Sequence, residues 1–377
     1  MIIAINARTL KPVPHDGIGW FTHEVISGIA GAHPEYHFVL ISDRKYDRQP
    51  VAGNNVEYIT IPFRAVHPLL WYCWHELFLP GVLKKVKADL FVAPDGIIPL
   101  RTDVPCIPVI HDLNHEHRPG DIPYCQRLYY RHFFPLFAAK AVRVATVSEF
   151  SAADISQTYG ISRNKIEVVP NGVAELFSPP AEGEAEETRR EFTGGRPYFL
   201  FVSNFSPRKN VETVIRAYDI FRKENAGYHV LLLAGRRLYL TKEIDRALRA
   251  SPYGSDILFT GSVTRDVLRK LYGGAAALVF VPWSEGFGIP VVEAQRCGTP
   301  CILSDTSSLP EVSGGAALCA GSAGADAIAE AMARLVSDEA LRRRLSDEGI
   351  INSQRYTWQK AAAEMWNCIM KVANNKT

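Results

Sequence analysis

Short apolar runs rich in Val, Ile and Phe return along the whole chain, and this recurrence constrains the fold more than any other feature. In the first half they are IIAIN at 2–6, FVLIS at 38–42, VEYITI at 56–61, DLFVAP at 89–94, CIPVIH at 106–111 and VRVATVS at 142–148. Between most of them lie stretches with helical spacing, Trp20 to Ile29 and Ser148 to Tyr159 among them. Strand-length apolar runs alternating with helical stretches predict parallel βαβ units. Around Ser178 to Arg196 the pattern breaks into SPPAEGEAEETRREFTGGR, which carries Pro, Gly and Glu but no strand run. A second alternation follows: YFLFVS at 198–203, HVLLLAG at 229–235, DILFTG at 256–261, AALVFVP at 276–282, PCILS at 300–304 and AALCA at 316–320. The expected architecture is therefore α/β with two doubly wound, Rossmann-like domains, 1–180 and 196–354. A length of 377 residues agrees with more than one core. Ligands of such folds bind outside the carboxyl ends of the strands, so function is sought on post-strand loops.

Composition narrows the function classes. Lys plus Arg number 42 against 40 Asp plus Glu, a net charge of +2, so no global field drives nucleic-acid binding, and no nucleic-acid partner is expected. The seven cysteines are odd in number and scattered, without a C-x-x-C pair, which predicts reduced thiols. No basic-then-apolar leader opens the sequence, and no apolar run approaches the roughly 20 residues of a membrane span. A cytoplasmic location is expected.

The segment SEGFGIPVVEAQRCGTP, Ser284 to Pro300, follows an apolar strand and reads as a loop entering a helix. Pro290 suits the first helical turn, and Gly298 with Pro300 closes the helix. The amides of Phe287, Gly288 and Ile289 would then point out of the helix N-terminus, where unpaired N–H groups and the dipole favour a phosphate. Glu285 lies in the loop and Glu293 about one turn inside the helix. Glu293 is placed to meet a ribose diol and Glu285 to reach the group on the distal phosphate; the plainer alternative is a helix-dipole carboxylate and a solvated loop charge.

Other candidates lie on other loops. SPRKN, after the first strand of the second domain, brings Arg208 and Lys209 to a strand's carboxyl end, where two cations would neutralise a diphosphate leaving group, unless they form a solvated turn. Gly17 and Gly19 form a fragment of a dinucleotide fingerprint without its third glycine, so they read as a close approach to a diphosphate or a plain tight turn. His111 ends the run CIPVIH and is followed by Asp112. HDLNHEHRPG also sets His115 and His117 at a spacing that hints at metal. In Phe63 to Lys87, aromatics stand beside Lys84, Lys85 and Lys87, which suits a membrane interface, a lipid-linked acceptor or, for most of the aromatics, a domain core.

The loop E-G-F-G-I-P-x-x-E-A resembles the E-x7-E motif of retaining GT-B glycosyltransferases, in particular family 4. The resemblance extends to VSNFSPRKN at 202–210, AG at 234–235, FTGSV at 259–263 and SDTSSLPEVSGGAAL at 304–318, and more loosely to DGIG at 16–19, HDL at 111–113, TVSEFS at 146–151 and VVPNGV at 168–173. It implies a GT-B fold, two Rossmann-like domains facing across a cleft, with a final helix at 355–377 packing back on the acceptor-side domain 1–180 and a nucleotide-sugar domain at 196–354. It implies transfer of a sugar from a nucleoside diphosphate donor, GDP-mannose as the first expectation and UDP-sugars as the second, to a saccharide or lipid-linked acceptor in surface polysaccharide assembly. His111, Glu285, Arg208 and Lys209 take the catalytic roles. Gly17, Gly19, Val263, Phe287, Gly288, Ile289, Glu293 and Asn204, which stands where the family usually has an arginine, take donor contacts. The resemblance further implies no metal and no cofactor, because cationic side chains and a helix dipole replace them; peripheral contact with the inner face of the cell membrane is a further expectation, from the aromatics and lysines of Phe63 to Lys87. A non-catalytic sugar-nucleotide-binding protein and a two-carboxylate glycoside hydrolase are the alternatives.

Overall fold

The structure, a computed structural model, describes residues 1–10, 16–225, 229–237, 242–321 and 324–374. Its contacts divide into two units, Met1–Gly172 with Thr357–Thr377, and Val173–Tyr356.

The first unit carries strands β1 (Ile2–Asn6), β2 (His37–Ser42), β3 (Val56–Thr60), β4 (Leu90–Ala93) and β5 (Cys106–Pro108) in the order β3-β2-β1-β4-β5, every pairing parallel. The pair β6 (Val144–Thr146) and β7 (Ile166–Val168) continues from β5 through a parallel bridge between Val109 and Ala145. Strands buried on both faces must be apolar throughout, and β4, LFVA, is fully buried. The helices of this unit are α1 (Gly17–Ala32), α2 (Pro68–Cys73), α3 (Leu79–Lys85), α4 (Asn114–His117), α5 (Tyr124–Lys140) and α6 (Glu149–Tyr159), with a π-helical turn, Trp74–Phe78, joining α2 to α3. Of the aromatic stretch, Trp74 is in the core, whereas Phe78 is exposed and Lys84, Lys85 and Lys87 face solvent.

The second unit has β8 (Tyr198–Val202), β9 (Val230–Ala234), β10 (Ile257–Gly261), β11 (Ala277–Phe280), β12 (Cys301–Leu303) and β13 (Leu318–Cys319) in the order β10-β9-β8-β11-β12-β13. Its helices are α7 (Glu184–Thr193), α8 (Val211–Glu224), α9 (Lys242–Ala250), α10 (Arg265–Gly274), α11 (Ile289–Arg296), α12 (Leu309–Ser313), α13 (Ala325–Ser337) and α14 (Glu339–Ser353). In each sheet the chain builds outward one way and then the other, reversing between β1 and β4 and between β8 and β11. Those reversals open a crevice at the strands' carboxyl ends.

The chain passes between units at Gly172 and Val173, earlier than the Glu-rich stretch at 178–196 led one to expect. That stretch forms α7, which packs on α10. Glu184, Glu186 and Glu187 occupy its first turn, where carboxylates offset the helix dipole, so a run that reads as a linker by composition is a helix start. The chain returns at Tyr356, whose carbonyl accepts a bond from the Val173 amide at 3.2 Å. The last helix, α15 (Trp358–Asn374), then packs on α1, burying Trp358, Ala361, Ala362, Met365, Cys368, Ile369 and Val372. At Gly28 of α1 an added Cβ would lie 2.8 Å from Ala362 Cβ, so the two helices meet at a spacing that only glycine allows. The apolar stripe of the tail is thus consumed within the chain.

Candidate active site

In the second unit, two loops at the β8/β11 reversal build a charged cluster. The loop after β8 closes in a single 3-10 turn, Pro207–Lys209, and α8 starts from Asn210, which sits in the left-handed region at φ 59°. Asn210 is held there because its Nδ2 donates to the Val281 carbonyl at 3.0 Å while its Oδ1 accepts from Thr213 at 2.5 Å. The Trp283 amide also donates to the Arg208 carbonyl at 2.9 Å, so the loops after β8 and β11 are tied by backbone.

Across that tie, Glu285 Oε2 accepts from Arg208 Nη1 at 2.9 Å and from Lys209 Nζ at 2.5 Å. Lys209 is buried, its ammonium 5.1 Å from the centre of the Phe280 ring. The loop after β12 fixes the backbone of Glu285: its amide donates to Ser307 Oγ at 3.1 Å, and its carbonyl accepts from Ser308 Oγ at 2.8 Å. Ser307 and Ser308 lie in the segment SDTSSLPEVSGGAAL that carries part of the family resemblance, but neither was expected to hold Glu285. Glu285 is therefore neither a solvated loop charge nor a group extended beyond the cations: it is their counter-ion.

Gly288 precedes α11 with φ 94°, and a Cβ there would lie 2.7 Å from Leu309 Cδ2, so both backbone and space require glycine. Ile289 opens the helix, Pro290 fills its first turn, and Phe287 is buried edge-to-face on Tyr356 with centroids 5.3 Å apart. Glu293 lies further along α11 and is buried. Its Oε2 accepts from the Tyr272 hydroxyl at 3.0 Å, and burial pushes its carboxyl up to about 7 against the opposing pull of that bond and of Arg265. A dipole carboxylate in solvent is excluded, and the two carboxylates have different partners, Tyr272 for Glu293 and Arg208 with Lys209 for Glu285. Asn204 stands on the loop after β8, partly exposed, with no hydrogen bond to the cluster among the described residues. Val263 is partly exposed beyond the carboxyl end of β10, just before Thr264 caps α10. Most of the loop after Gly235 lies outside the described residues.

In the first unit, His111 follows β5. Its Nε2 lies 2.9 Å from the Pro94 carbonyl, which can only accept, so Nε2 carries the proton. Its ring meets Phe21 of α1 edge-to-face at 5.2 Å. Burial lowers its pKa despite the nearby Asp112 and Asp16 carboxylates, so the imidazole is neutral. Gly17 and Gly19 lie inside the first turn of α1, where a loop before the helix was expected. Asp16 caps that helix, and its carboxylate accepts the Gly19 amide at 2.9 Å, so that N–H is already engaged. His115 and His117 diverge, the first to the Tyr159 hydroxyl at 2.8 Å and the second to Asp154 at 2.8 Å. They do not converge on one point.

Residues 15–175 match the family described as Glycosyltransferase Family 4, and residues 184–351 match Glycosyl transferases group 1. The chain belongs to glycosyltransferase family 4. This glycosyltransferase is 24% identical over 370 residues to the O-antigen chain mannosyltransferase B of Escherichia coli, covering 94% of this chain and 96% of that one. It is 28% identical over 275 residues to the serotype-specific mannosyltransferase WbdA of Escherichia coli, of whose length the alignment spans 33%. In fold it is similar to sucrose-phosphate synthase from Thermosynechococcus elongatus, with a TM-score of 0.81 at 18% identity and 99% of each chain covered. It is also similar to Anabaena HepE in complex with UDP and glucose, with a TM-score of 0.74 at 17% identity and 98% and 99% of the two chains covered. The fold of the glycosyltransferase is that of the GT-B enzymes, and the hydrolase alternative is set aside.

Proposed function

We propose that this glycosyltransferase transfers a sugar, mannose before others, from a nucleoside diphosphate donor to a saccharide or lipid-linked saccharide in surface polysaccharide assembly, retaining the anomeric configuration. The observation that carries the reading is the cluster of Arg208, Lys209 and Glu285 at the β8/β11 reversal. Two cations share one carboxylate there, beside the start of α11, leaving a net positive charge in a largely buried place. The O-antigen mannosyltransferases among the relatives support mannose and polysaccharide; the HepE complex supports a nucleoside diphosphate.

As the bond from sugar to diphosphate breaks, negative charge gathers on the leaving oxygen. Arg208 and Lys209 are held at the site by Glu285 and the backbone, so two cations stand in place before that charge develops. A buried ammonium acts in a low effective dielectric, where its attraction for phosphate is stronger than in water. When the diphosphate takes over the cations, Glu285 is left to accept from donor-sugar hydroxyls. Glu293 receives the ribose hydroxyls, Phe287, Gly288 and Ile289 present the backbone to the phosphates, and Asn204 and Val263 complete the donor contacts of the second unit. Neutral His111, whose Nε2–H is taken by the Pro94 carbonyl, offers Nδ1 as an acceptor to a sugar hydroxyl. No metal and no cofactor is needed, since protein cations do that work.

Among the described residues no helix is long and apolar enough to cross a membrane. Exposed Val66, Leu69, Leu77 and Phe78, followed by Lys84 and Lys85, fit peripheral contact with the inner face of the cell membrane, and flotation with anionic vesicles tests this. The central test is incubation with GDP-mannose, UDP-glucose and other nucleotide sugars plus mannosyl oligosaccharides. Release of nucleoside diphosphate matched by an extended, α-configured product is expected; nucleotide binding without turnover would instead establish a non-catalytic binding protein.

A further inference from the structure

The first unit also builds a charged cluster at its sheet reversal, and the proposed donor chemistry does not use it. Asn6 ends β1, Arg8 follows two residues later, Asp43 follows β2, and Asp95 follows β4. Asn6 Nδ2 donates to both Asp95 oxygens, at 2.9 and 3.0 Å. Arg8 Nη1 lies 4.0 Å from Asp95, its Nε 3.5 Å from Asp43, and its Nη2 donates to the Ala65 carbonyl at 2.7 Å. Arg44 Nε donates to Asp43 at 2.8 Å. The Pro94 carbonyl, one residue before Asp95, accepts from His111, so the loop carrying Asp95 is held against the His111 loop.

The charge count decides what such a place can bind. Arg8 and Arg44 balance Asp43 and Asp95, whereas in the second unit two cations outnumber one carboxylate. A phosphate brought to the balanced cluster would meet two carboxylates, while a neutral sugar hydroxyl both donates and accepts, and so is matched by a carboxylate beside a guanidinium. The side chains of Arg8 and Asp95 are 10% and 15% exposed, enclosed yet reachable at the strand ends. Burying Arg8, Asp43 and Asp95 carries a desolvation cost that a bound polar ligand would help to offset.

We infer that Asp95, oriented by Asn6 and Arg8, binds hydroxyls of the saccharide acceptor and sets acceptor specificity. The inference rests on the glycosyltransferase reading for its substrate class, but binding can be tested without turnover. Saturation-transfer NMR with methyl α-mannoside, α-glucoside and α-galactoside is run on the full chain, on Asp95→Asn and on Glu285→Gln, with GDP and UDP binding measured in parallel. The expected pattern is a glycoside signal that persists in Glu285→Gln and falls about tenfold in Asp95→Asn, with nucleotide affinity changed less than about twofold by Asp95→Asn. In turnover assays the same variant should raise the acceptor KM far more than the donor KM. Loss of the signal in Glu285→Gln with retention in Asp95→Asn would put the glycoside in the donor site and overturn the inference, as would an unmodified chain that binds none of the three. If Asp95→Asn does not fold, Arg8→Lys serves: it keeps the charge, loses the planar fork, and should weaken glycoside binding alone. Absence of turnover with every nucleotide sugar, alongside intact glycoside binding, would count against the proposed reaction and leave this assignment standing.

Discussion

The two units solve the same topological problem with opposite charge arithmetic. Each places a loop after its first strand against a loop after the strand beyond the reversal, β1 against β4 and β8 against β11, and each joins a basic side chain to a carboxylate there. In the second unit Arg208 and Lys209 exceed Glu285 by one charge; in the first, Arg8 and Arg44 cancel Asp43 and Asp95. A shared fold therefore supplies a place, and the residue balance at that place decides between an anion and a neutral saccharide. The units differ in a second way. The second is one continuous segment, whereas the first depends on a helix from the far end of the chain.

The largest effect should come from that dependence. Ending the chain after Gln354 removes α15 and uncovers the face of α1 that it packs on, around Gly28. Several fully buried side chains worth roughly 1.5–3 kcal/mol each are lost, which exceeds a usual margin of stability. The truncated protein should be insoluble or molten in its first unit; a fully stable, active truncation would show that the units are equally self-sufficient.

Next, Lys209→Met keeps the stem over Phe280 and removes the charge. Turnover should fall roughly a hundredfold to a thousandfold, with acceptor-glycoside binding unchanged. A similar loss of glycoside binding would erase the distinction between the clusters. Glu293→Ala should weaken nucleotide binding about tenfold, read by calorimetry, if the carboxylate meets the ribose; equal affinity would confine Glu293 to its bond with Tyr272.

The buried state of Glu293 also gives a pH signature. Its folded pKa, about 7, is raised above the ordinary value of 4.5, so the folded state holds a proton that the unfolded state has released. The stability this group contributes is present below about pH 4.5 and declines as pH rises through 7. Glu293→Gln should therefore raise Tm at pH 8, on the order of 5 °C, and leave it nearly unchanged at pH 5. A pH-independent shift would show that burial does not control the carboxyl. The smallest expected effect is that of EDTA: turnover should not change, because Arg208 and Lys209 supply the positive charge. Loss of activity restored by manganese would mean that protein cations alone do not suffice.

Much of this was legible in the sequence. Apolar runs such as YFLFV and VLLLA mark strands of a parallel sheet because both faces are covered, and the pattern repeats on either side of one break. The loop Glu285 to Ile289 was legible because glycines and a proline have few other uses before a helix. The boundary was misplaced because composition does not distinguish a linker from a Glu-rich helix start.

What the sequence by itself determined is local: which segments are strands, which helices, and which loops carry charge at strand ends. Only the tertiary structure decided the partners. Glu285 became the counter-ion of residues 76 and 77 positions earlier, Asp95 the partner of Asn6 across the β1/β4 reversal, and Glu293 a buried carboxyl on Tyr272. Spacing along a chain fixes which face of an element a residue occupies. Electrostatics in a folded protein depends on which charges other elements bring within a few ångströms and on how much water is left between them, and both follow from the order in which the strands pair.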